Sequence, residues 1–357
     1  MKVSVFSLMQ RPGDRSDAEA IGAELDTLSM AEDLGYYGAY VAEHHFSPYC
    51  LGASPPVLLG YLAAKTRRIR LGMAVSVLPL NNPIKIAEDY ATVDVLSGGR
   101  LELGVGRGYN LFEFGSFGVD IAENSERFFE VLEAVRLAWT EDRFSYRGRH
   151  YCIENTEVLP KPIQKPHPPV FYANISPGSV EKAAQAGLGI CILAGVPPDQ
   201  IIERRSAWID AARAAGYDEA FIQHTLDTTP QQKIVWVDED NGRAREYAAK
   251  LISDYGESLE KYAFPGTAYP YRPPGMPQYE MQGPSTRTTS MWSLEAMEAT
   301  QGAFVGSPEV VTEKLLAYRE KAPLEYMLMW CTLGGPDRES LQRCVRLFGE
   351  KVLPKLA

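Results

Sequence analysis

The sequence predicts an α/β protein: a (β/α)₈ TIM barrel that spans residues 1–357 as one domain, with a lid insertion near its C-terminal third. Short apolar runs alternate with longer segments of helical period, which is the pattern of parallel βαβ units. Eight such runs can close a barrel, and single barrels of this length are common. An open doubly wound sheet is the alternative, but the G-x-G-x-x-G turn it would normally carry after its first strand is absent.

The elements follow from apolar period and from residues that start or stop helices. Pro55 and Pro83 open helices, a position that tolerates proline, and Gly35 and Gly98 stop them. The segment 144–153 is aromatic and polar and predicts a small hairpin outside the repeat. The predicted strands are 3–8, 39–42, 69–78, 101–105, 170–173, 189–193, 233–237 and 326–331. The predicted helices are 18–34, 55–65, 83–96, 123–140, 179–186, 198–215, 241–255, 308–321 and 338–351.

One stretch, 264–287, interrupts this alternation with repeated prolines and glycines, which block helix and central strand alike. Irregular segments of this length are usually functional lids or disordered loops. Its tyrosines Tyr269, Tyr271 and Tyr279 could close over an apolar ligand. We therefore predict a mobile lid within 262–301, with a plain surface loop as the alternative.

Composition limits the partners. The 36 basic and 46 acidic residues give a net charge of -10, which argues against nucleic acid and against a basic membrane-binding surface. Five scattered cysteines without a C-x-x-C pair indicate neither a disulfide framework nor a zinc site, and no metal is expected. The sequence shows no signal peptide and no apolar run long enough to span a membrane, so we expect a cytoplasmic enzyme.

Two adjacent histidines, His44 and His45, stand at the end of the second predicted strand. Active-site groups of such barrels lie at the C-terminal ends of strands. Neighbouring residues there point to opposite sides, so one histidine can face the barrel mouth while the other packs. A neutral imidazole can act as base or donor near pH 7, whereas a hydrogen-bonded pair that only caps the strand is equally compatible with the sequence.

Two further strand ends are chemically unusual. The turn 104–110, with glycines around Arg107, lets backbone approach a ligand and offers an arginine to a phosphate, although a tight turn with a surface arginine fits as well. The stretch 174–181, which contains Ser176 and Ser179, leads small polar residues into a helix whose N-terminus could hold an anion. An ordinary serine cap is the simpler interpretation of that stretch.

The chain resembles the bacterial luciferase (alkanal monooxygenase) family, and its catalytic α subunit in particular, nearly from end to end. The matching stretches are Glu43-His44-His45-Phe46, Leu78-Pro79 with Asn82-Pro83, Leu96-Ser97-Gly98-Gly99-Arg100, the 104–110 turn, Phe117-Gly118, Ala183-Ala184-Gln185-Ala186-Gly187 and Val352-Leu353-Pro354. Each stretch is short, but their order and spacing together are specific.

This resemblance implies a two-component monooxygenase that takes FMNH₂ from a separate NAD(P)H:flavin reductase, binds O₂ and oxidises a small molecule through a flavin C4a-hydroperoxide. It further implies a dimer, either of identical chains or with a paralogue. The catalytic positions it indicates are His44, His45 and Glu113. The FMN-binding positions it indicates are Ala74, Val75, Gly106, Arg107, Tyr109, Asn174, Ile175, Ser176 and Ser179, of which Arg107, Ser176 and Ser179 match phosphate ligands and Ala74-Val75 matches the backbone under the isoalloxazine ring.

The chain also departs from the family pattern. Gly106 replaces a reactive cysteine of light-emitting members, Ala194 replaces a flavin-site tryptophan, and Ile175 replaces a phosphate-binding glutamate. The turn after Arg107 is one residue shorter. These changes argue against light emission and a long-chain aldehyde substrate. Two other functions remain open, an F420-dependent oxidoreductase of the same superfamily and a non-catalytic flavin-binding subunit; retention of His44 and Arg107 speaks against the latter.

Overall fold

The computed structural model describes residues 1–13, 15–174, 177–262 and 291–356. The strands are β1 (Lys2–Ser7), β2 (Gly38–Val41), β3 (Arg70–Val77), β4 (Leu101–Gly106), β5 (Phe144–Arg147), β6 (Cys152–Thr156), β7 (Val170–Asn174), β8 (Gly189–Ile192), β9 (Gln231–Val237), β10 (Ala303–Gly306) and β11 (Tyr326–Trp330). The α-helices are α1 (Asp17–Met30), α2 (Pro55–Lys65), α3 (Pro83–Ser97), α4 (Leu111–Ser116), α5 (Asn124–Thr140), α6 (Val180–Gln185), α7 (Pro198–Ala214), α8 (Glu219–Thr228), α9 (Asn241–Tyr262), α10 (Leu294–Ala299), α11 (Pro308–Arg319) and α12 (Arg338–Leu347).

Eight parallel strands form a closed barrel in the order β1, β2, β3, β4, β7, β8, β9, β11, and β11 pairs back onto β1. The ring closes between β8 and β9, where Ile192 pairs with Gln231. The predicted (β/α)₈ barrel is confirmed. The predicted hairpin is also found: β5 and β6 pair antiparallel in a separate two-stranded sheet. Among the described helices, none is both long and apolar enough to cross a membrane.

Four short elements were not predicted. Strand β10 is only four residues long and pairs with the C-terminal half of β9, where Ala303 lies opposite Ile234. Helices α4 and α10 have six residues each, too few for a helical period to show. Helix α8 buries only Ile222 and Thr225, so its apolar face is too narrow to stand out in the sequence.

The predicted lid, 262–301, lies mostly outside the described residues, because 263–290 are not described. Its margins are described and are regular. Helix α9 continues to Tyr262, seven residues beyond its predicted end at Tyr255, and α10 occupies 294–299. The lid therefore stays a prediction from the sequence.

Helix boundaries follow local chemistry. The side chain of Asn82 accepts hydrogen bonds from the backbone amides of Ile84 and Lys85, and Pro83 follows as the first residue of α3. The same helix ends at Gly98, whose φ of 71° is the left-handed conformation that glycine adopts at no steric cost. Helix α1, in contrast, ends at Met30, and Gly35 forms a turn four residues beyond Ala31, its C-cap.

A cluster of hydrogen-bonded polar side chains lies at the N-terminal end of the barrel. We call it the N-terminal cluster; it consists of Ser4, Tyr37, Tyr40, Arg70, Glu102 and Tyr326. Glu102 is 1% exposed and lies at its centre. Oε1 of Glu102 accepts from the Tyr37 hydroxyl and from Arg70 Nε, both at 2.9 Å. Oε2 accepts from Tyr326 at 3.0 Å and from Tyr40, so every carboxylate oxygen has two donors.

Candidate active site

His44 and Glu113 form a buried pair at the C-terminal end of the barrel. His44 follows β2, and Glu113 is the third residue of α4, which follows β4. The His44 Nδ1 to Glu113 Oε1 distance is 2.9 Å, and the same oxygen accepts the backbone amide of His45 at 2.9 Å. Glu113 is 1% exposed, and among the described residues its other oxygen, Oε2, has no hydrogen-bond partner. A buried oxygen without a donor is unusual and calls for a functional explanation.

His45 points away from this pair. Its Nε2 lies 3.2 Å from Glu43 Oε1, and its ring packs edge-on against Phe117. Glu43 also accepts from Ser76 Oγ and from the Val77 amide, each at 2.9 Å. The two histidines thus face different surroundings, as expected for neighbours at a strand end, and His45 belongs to the network that joins β2 to β3.

The second ring nitrogen of His44 faces aromatic residues. Tyr109 places its hydroxyl 3.3 Å from His44 Nε2, and the His44 ring also packs edge-on against Tyr49, with 5.0 Å between ring centroids. The Tyr49 hydroxyl lies 3.3 Å from that of Tyr109 and 2.9 Å from that of Tyr255. We call His44, Tyr49, Tyr109, Glu113 and Tyr255 the C-terminal cluster. It is the counterpart of the N-terminal cluster at the opposite end of the barrel.

Strand β3 is irregular at Ala74 and Val75, the residues indicated for the flavin ring. The Ala74–Val75 peptide bond is cis, and the register of β3 against β4 shifts between Met73 and Ser76. On β4, a Cβ atom at Gly106 would lie 2.5 Å from Val75 Cγ2. A side chain at 106 would therefore have to displace the Val75 side chain, so glycine lets β3 and β4 approach closely at this point.

Two of the residues indicated for the phosphate, Arg107 and Ser179, follow neighbouring strands of the barrel. Arg107 follows β4, and Ser179 precedes α6 in the loop after β7; these strands are neighbours, with Val105 opposite Tyr172. Arg107 is partly exposed, and no carboxylate in the described part of the chain forms an ion pair with it. Asn174 ends β7, whereas Ile175 and Ser176 lie outside the described residues. The predicted helix after this loop is shorter than expected, since a 3-10 turn precedes α6.

Several residues of this end of the barrel were not singled out from the sequence. Glu43 organises His45 and β3, and the aromatic rings of Trp292 and Trp330 pack on Tyr255 with centroids 4.5 and 4.6 Å away. Glu43 could have been found, since it stands at a strand end beside two histidines. Tyr49, Tyr255 and Trp292 could not, because they lie on separate loops and a helix, and no local pattern shows that these segments meet over the barrel mouth.

A group of possible metal ligands, Glu126, Glu130 and His150, lies apart from this site on α5 and the β5–β6 turn. Glu130 already accepts the backbone amides of Arg149, His150 and Tyr151. Glu126 pairs with His150 and Arg149. These hydrogen bonds fasten the β5–β6 turn to α5, and they account for the proximity of the three side chains.

The profile of the family described as luciferase-like monooxygenase matches residues 1–324. The chain belongs to this family. Membership makes it an oxidoreductase of the flavin-dependent monooxygenase type, and the resemblance drawn from the sequence is confirmed.

Relatives of this luciferase-like monooxygenase include an uncharacterized protein and proteins with assigned activities. The chain is 31% identical over 312 residues to an uncharacterized protein, y4wF, of Sinorhizobium fredii, covering 87% of this chain and 85% of that one. It is 29% identical over 215 residues to the oxygenase component of the flavin-dependent trigonelline monooxygenase of Acinetobacter baylyi, 59% of each chain. Identity to the alkanal monooxygenase alpha chain of Photorhabdus luminescens is 27% over 259 residues, 72% of this chain and 70% of that one.

Solved structures share the fold of this luciferase-like monooxygenase along its length. The monooxygenase RslO1 of Streptomyces bottropensis superimposes with a TM-score of 0.79 at 26% identity, covering 100% of both chains. The oxygenating constituent of 3,6-diketocamphane monooxygenase of Pseudomonas putida, in complex with FMN, gives 0.77 at 17% identity, covering 99% and 98%. An F420-dependent secondary alcohol dehydrogenase gives 0.71 at 16% identity, covering 100% and 99%.

Proposed function

We propose that this chain is the oxygenase of a two-component flavin monooxygenase. It takes FMNH₂ from a separate NAD(P)H:flavin reductase and uses O₂ to insert one oxygen atom into a small organic substrate. The observation that carries the proposal is the hydrogen-bonded pair of partly buried His44 and buried Glu113 at the C-terminal end of the barrel. Catalytic groups of such barrels lie at this end.

The described residues fit a flavin. Gly106 keeps β4 free of a side chain beside Val75, so backbone can approach a flat ring there. Arg107 offers a guanidinium that no described carboxylate neutralises, at the strand edge shared with the loop of Ser179. In our proposal Ala74, Val75, Gly106 and Tyr109 contact the ring system. The phosphate is bound by Arg107 and Ser179 together with the segment of Asn174, Ile175 and Ser176.

His44 is the proposed catalytic residue, and Glu113 holds its proton. A carboxylate at Glu113 accepts from Nδ1, which fixes the hydrogen on that nitrogen and stabilises the imidazolium when His44 takes a second proton at Nε2. His45, the other histidine that the resemblance indicates as catalytic, has a supporting role in this proposal because Glu43 holds its Nε2. When bound, reduced FMN would supply the electrons that activate O₂ by the route that the family resemblance implies.

Two relatives support the choice of cofactor and partner. The trigonelline enzyme of Acinetobacter baylyi is named as an oxygenase component, which supports a separate reductase for this chain. The 3,6-diketocamphane enzyme was solved in complex with FMN, which supports FMN. Dimer formation, with an identical chain or a paralogue, and the cytoplasmic location stay predictions from the sequence.

The fold of the F420-dependent alcohol dehydrogenase favours one competing function, an F420-dependent oxidoreductase. The third possibility, a non-catalytic flavin-binding subunit, is disfavoured by the intact His44–Glu113 pair. Binding of FMN, FAD and F420 to the purified chain separates these functions. We expect reduced FMN to bind most tightly, since the site offers one phosphate-binding arginine; tighter binding of F420 would reject the proposal.

The phosphate contact is tested by Arg107→Ala. Loss of a charge-assisted hydrogen bond should weaken FMN binding by ~1.5–3 kcal/mol, or about 10- to 150-fold. Arg147→Ala is the matched control, because Arg147 is exposed on β5, away from the barrel mouth. In the same protein, stopped-flow mixing of the reduced FMN complex with O₂ should show a flavin species distinct from both oxidised and reduced FMN. Immediate conversion to oxidised FMN, with H₂O₂ released, would contradict a monooxygenase.

A further inference from the structure

Three tyrosine hydroxyls form a line that leads to His44. They come from separate parts of the chain: Tyr255 from α9, Tyr49 from the loop between β2 and α2, and Tyr109 from the turn after β4. The hydroxyl distances are 2.9 Å from Tyr255 to Tyr49 and 3.3 Å from Tyr49 to Tyr109. A further 3.3 Å separates the Tyr109 hydroxyl from His44 Nε2.

The contact between Glu113 and His44 Nδ1 sets which hydroxyl donates and which accepts in this line of hydrogen bonds. Glu113 Oε1 accepts the His45 amide, and as a carboxylate it can only accept from His44 Nδ1 as well. With its hydrogen on Nδ1, neutral His44 offers a lone pair at Nε2, so the Tyr109 hydroxyl donates to it. The Tyr109 oxygen then accepts from Tyr49, and the Tyr49 oxygen accepts from Tyr255.

Tyr49 is the rigid member of this line. It is 2% exposed, and its loop is fixed to the β1–α1 loop by backbone hydrogen bonds from Leu51 to Met9 at 3.0 Å and from Arg11 to Pro48 at 2.9 Å. Burial, and then the neighbouring hydroxyls, raise the pKa of Tyr49 well above its usual range, so it stays a neutral donor. Tyr109 is more exposed than Tyr49 and stands at the end of a glycine-rich turn.

We infer that Tyr49, held by Tyr255, is a positioning residue: it orients the Tyr109 hydroxyl toward His44 Nε2 and so fixes the ring plane of His44, whose tautomer Glu113 sets. The inference rests on the proposed function in one respect, the catalytic role of His44. The hydrogen bond at Nε2 is a property of the protein without cofactor. Outer contacts of this kind commonly set the orientation of a functional histidine.

Tyr49→Phe removes one hydroxyl and keeps the ring, and Tyr255→Phe is the second variant in case the first is poorly folded. Tyr36→Phe is the control: it also removes a buried hydroxyl, one that donates to Val345 O at 2.8 Å, far from His44. In ¹⁵N-histidine NMR spectra of the cofactor-free protein, His44 should show a protonated Nδ1 and an unprotonated Nε2. Tyr49→Phe should shift the Nε2 resonance, because the Tyr109 hydroxyl loses the donor that orients it, and should leave Nδ1 protonated by its contact with Glu113; Tyr36→Phe should change neither resonance. Identical His44 resonances in all variants would overturn the inference.

The second measurement follows reoxidation of protein-bound reduced FMN by O₂. Tyr49→Phe should change this rate in the same direction as His44→Ala, by roughly 3- to 10-fold, the effect of one neutral hydrogen bond. In the His44→Ala background it should add nothing, because it acts through His44. An additive loss would overturn the inference. If the Nε2 resonance shifts in Tyr49→Phe while His44→Ala leaves reoxidation unaltered, the positioning holds and the proposed role of His44 fails.

Discussion

The two ends of the barrel each hold a buried glutamate among tyrosines, yet they are built differently. In the N-terminal cluster, Glu102 receives four donors, two on each oxygen. In the C-terminal cluster, Glu113 receives two donors, both on Oε1, and among the described residues none reaches Oε2. Both side chains are 1% exposed, so burial does not distinguish them.

We interpret this difference as one between a structural carboxylate, Glu102, and the proposed functional carboxylate, Glu113. In the N-terminal cluster every carboxylate oxygen has donors, and these hydrogen bonds hold the side chains in one arrangement. A buried oxygen without a donor lowers the stability of the fold, so its presence needs a reason other than stability. Near Glu113 the chain also adopts a rare backbone conformation, since Phe46 has a φ of 62° and is 55% exposed. Positive φ at a bulky residue clusters at functional sites.

The largest expected effect comes from the same substitution at both ends, Glu102→Gln and Glu113→Gln. In Glu102→Gln an amide replaces an oxygen that accepts two hydrogen bonds, and the buried ion pair with Arg70 is lost. We expect the free energy of unfolding to fall by about 3–5 kcal/mol. Glu113→Gln can keep both hydrogen bonds at Oε1, so we expect its free energy of unfolding to fall by less than about 1 kcal/mol. Urea unfolding of both variants measures the difference; equal losses would remove the distinction between the clusters.

The next effect concerns Glu24, another buried carboxyl, which lies on α1 near the C-terminal end of β1. Burial raises its pKa to about 7, although Ser7 and the Met9 amide donate to it. Because the folded pKa exceeds the unfolded value, the native state holds the proton more tightly. Its contribution to stability is complete below about pH 4.5 and is lost as the pH rises through 7, by roughly 3 kcal/mol in total.

Glu24→Gln should abolish this slope. We expect the variant to gain stability over the parent chain between pH 5 and pH 8, in unfolding experiments at matched ionic strength. Glu19→Gln serves as a control, because Glu19 lies on the same helix and is exposed. If the variant and the parent chain keep a constant difference in stability across this range, the pKa of Glu24 is not raised by burial.

The third effect should appear in activity rather than in stability. His44→Ala should lower product formation about 100-fold, the typical contribution of a general acid or base, while reduced FMN still binds. The consumed O₂ should instead appear as H₂O₂. The measurement is ¹⁸O from ¹⁸O₂ in the organic product beside an H₂O₂ assay. His224→Ala, at an exposed position on α8, is the control. Full coupling in His44→Ala would assign the chemistry to another group.

Much of the site could be predicted, because its residues follow strands whose ends share one rim of the barrel. His44, Arg107 and Ser179 were located in this way, and Glu113 came from the family resemblance. What could not be predicted is the partner of each side chain. Nothing in Glu43-His44-His45 shows that one histidine contacts Glu113 and its neighbour contacts Glu43, since that depends on the direction in which β2 leaves the barrel.

The sequence by itself determined the alternation of strand and helix, because apolar period and helix caps are local properties of the chain. It also determined the family and the rim on which the chemistry lies. Only the tertiary structure decided that Tyr49, Tyr109 and Tyr255 meet beside His44, and that Glu102 is saturated while Glu113 is not. These contacts join residues tens to hundreds of positions apart, and closure of the barrel, rather than any local pattern, brings them together.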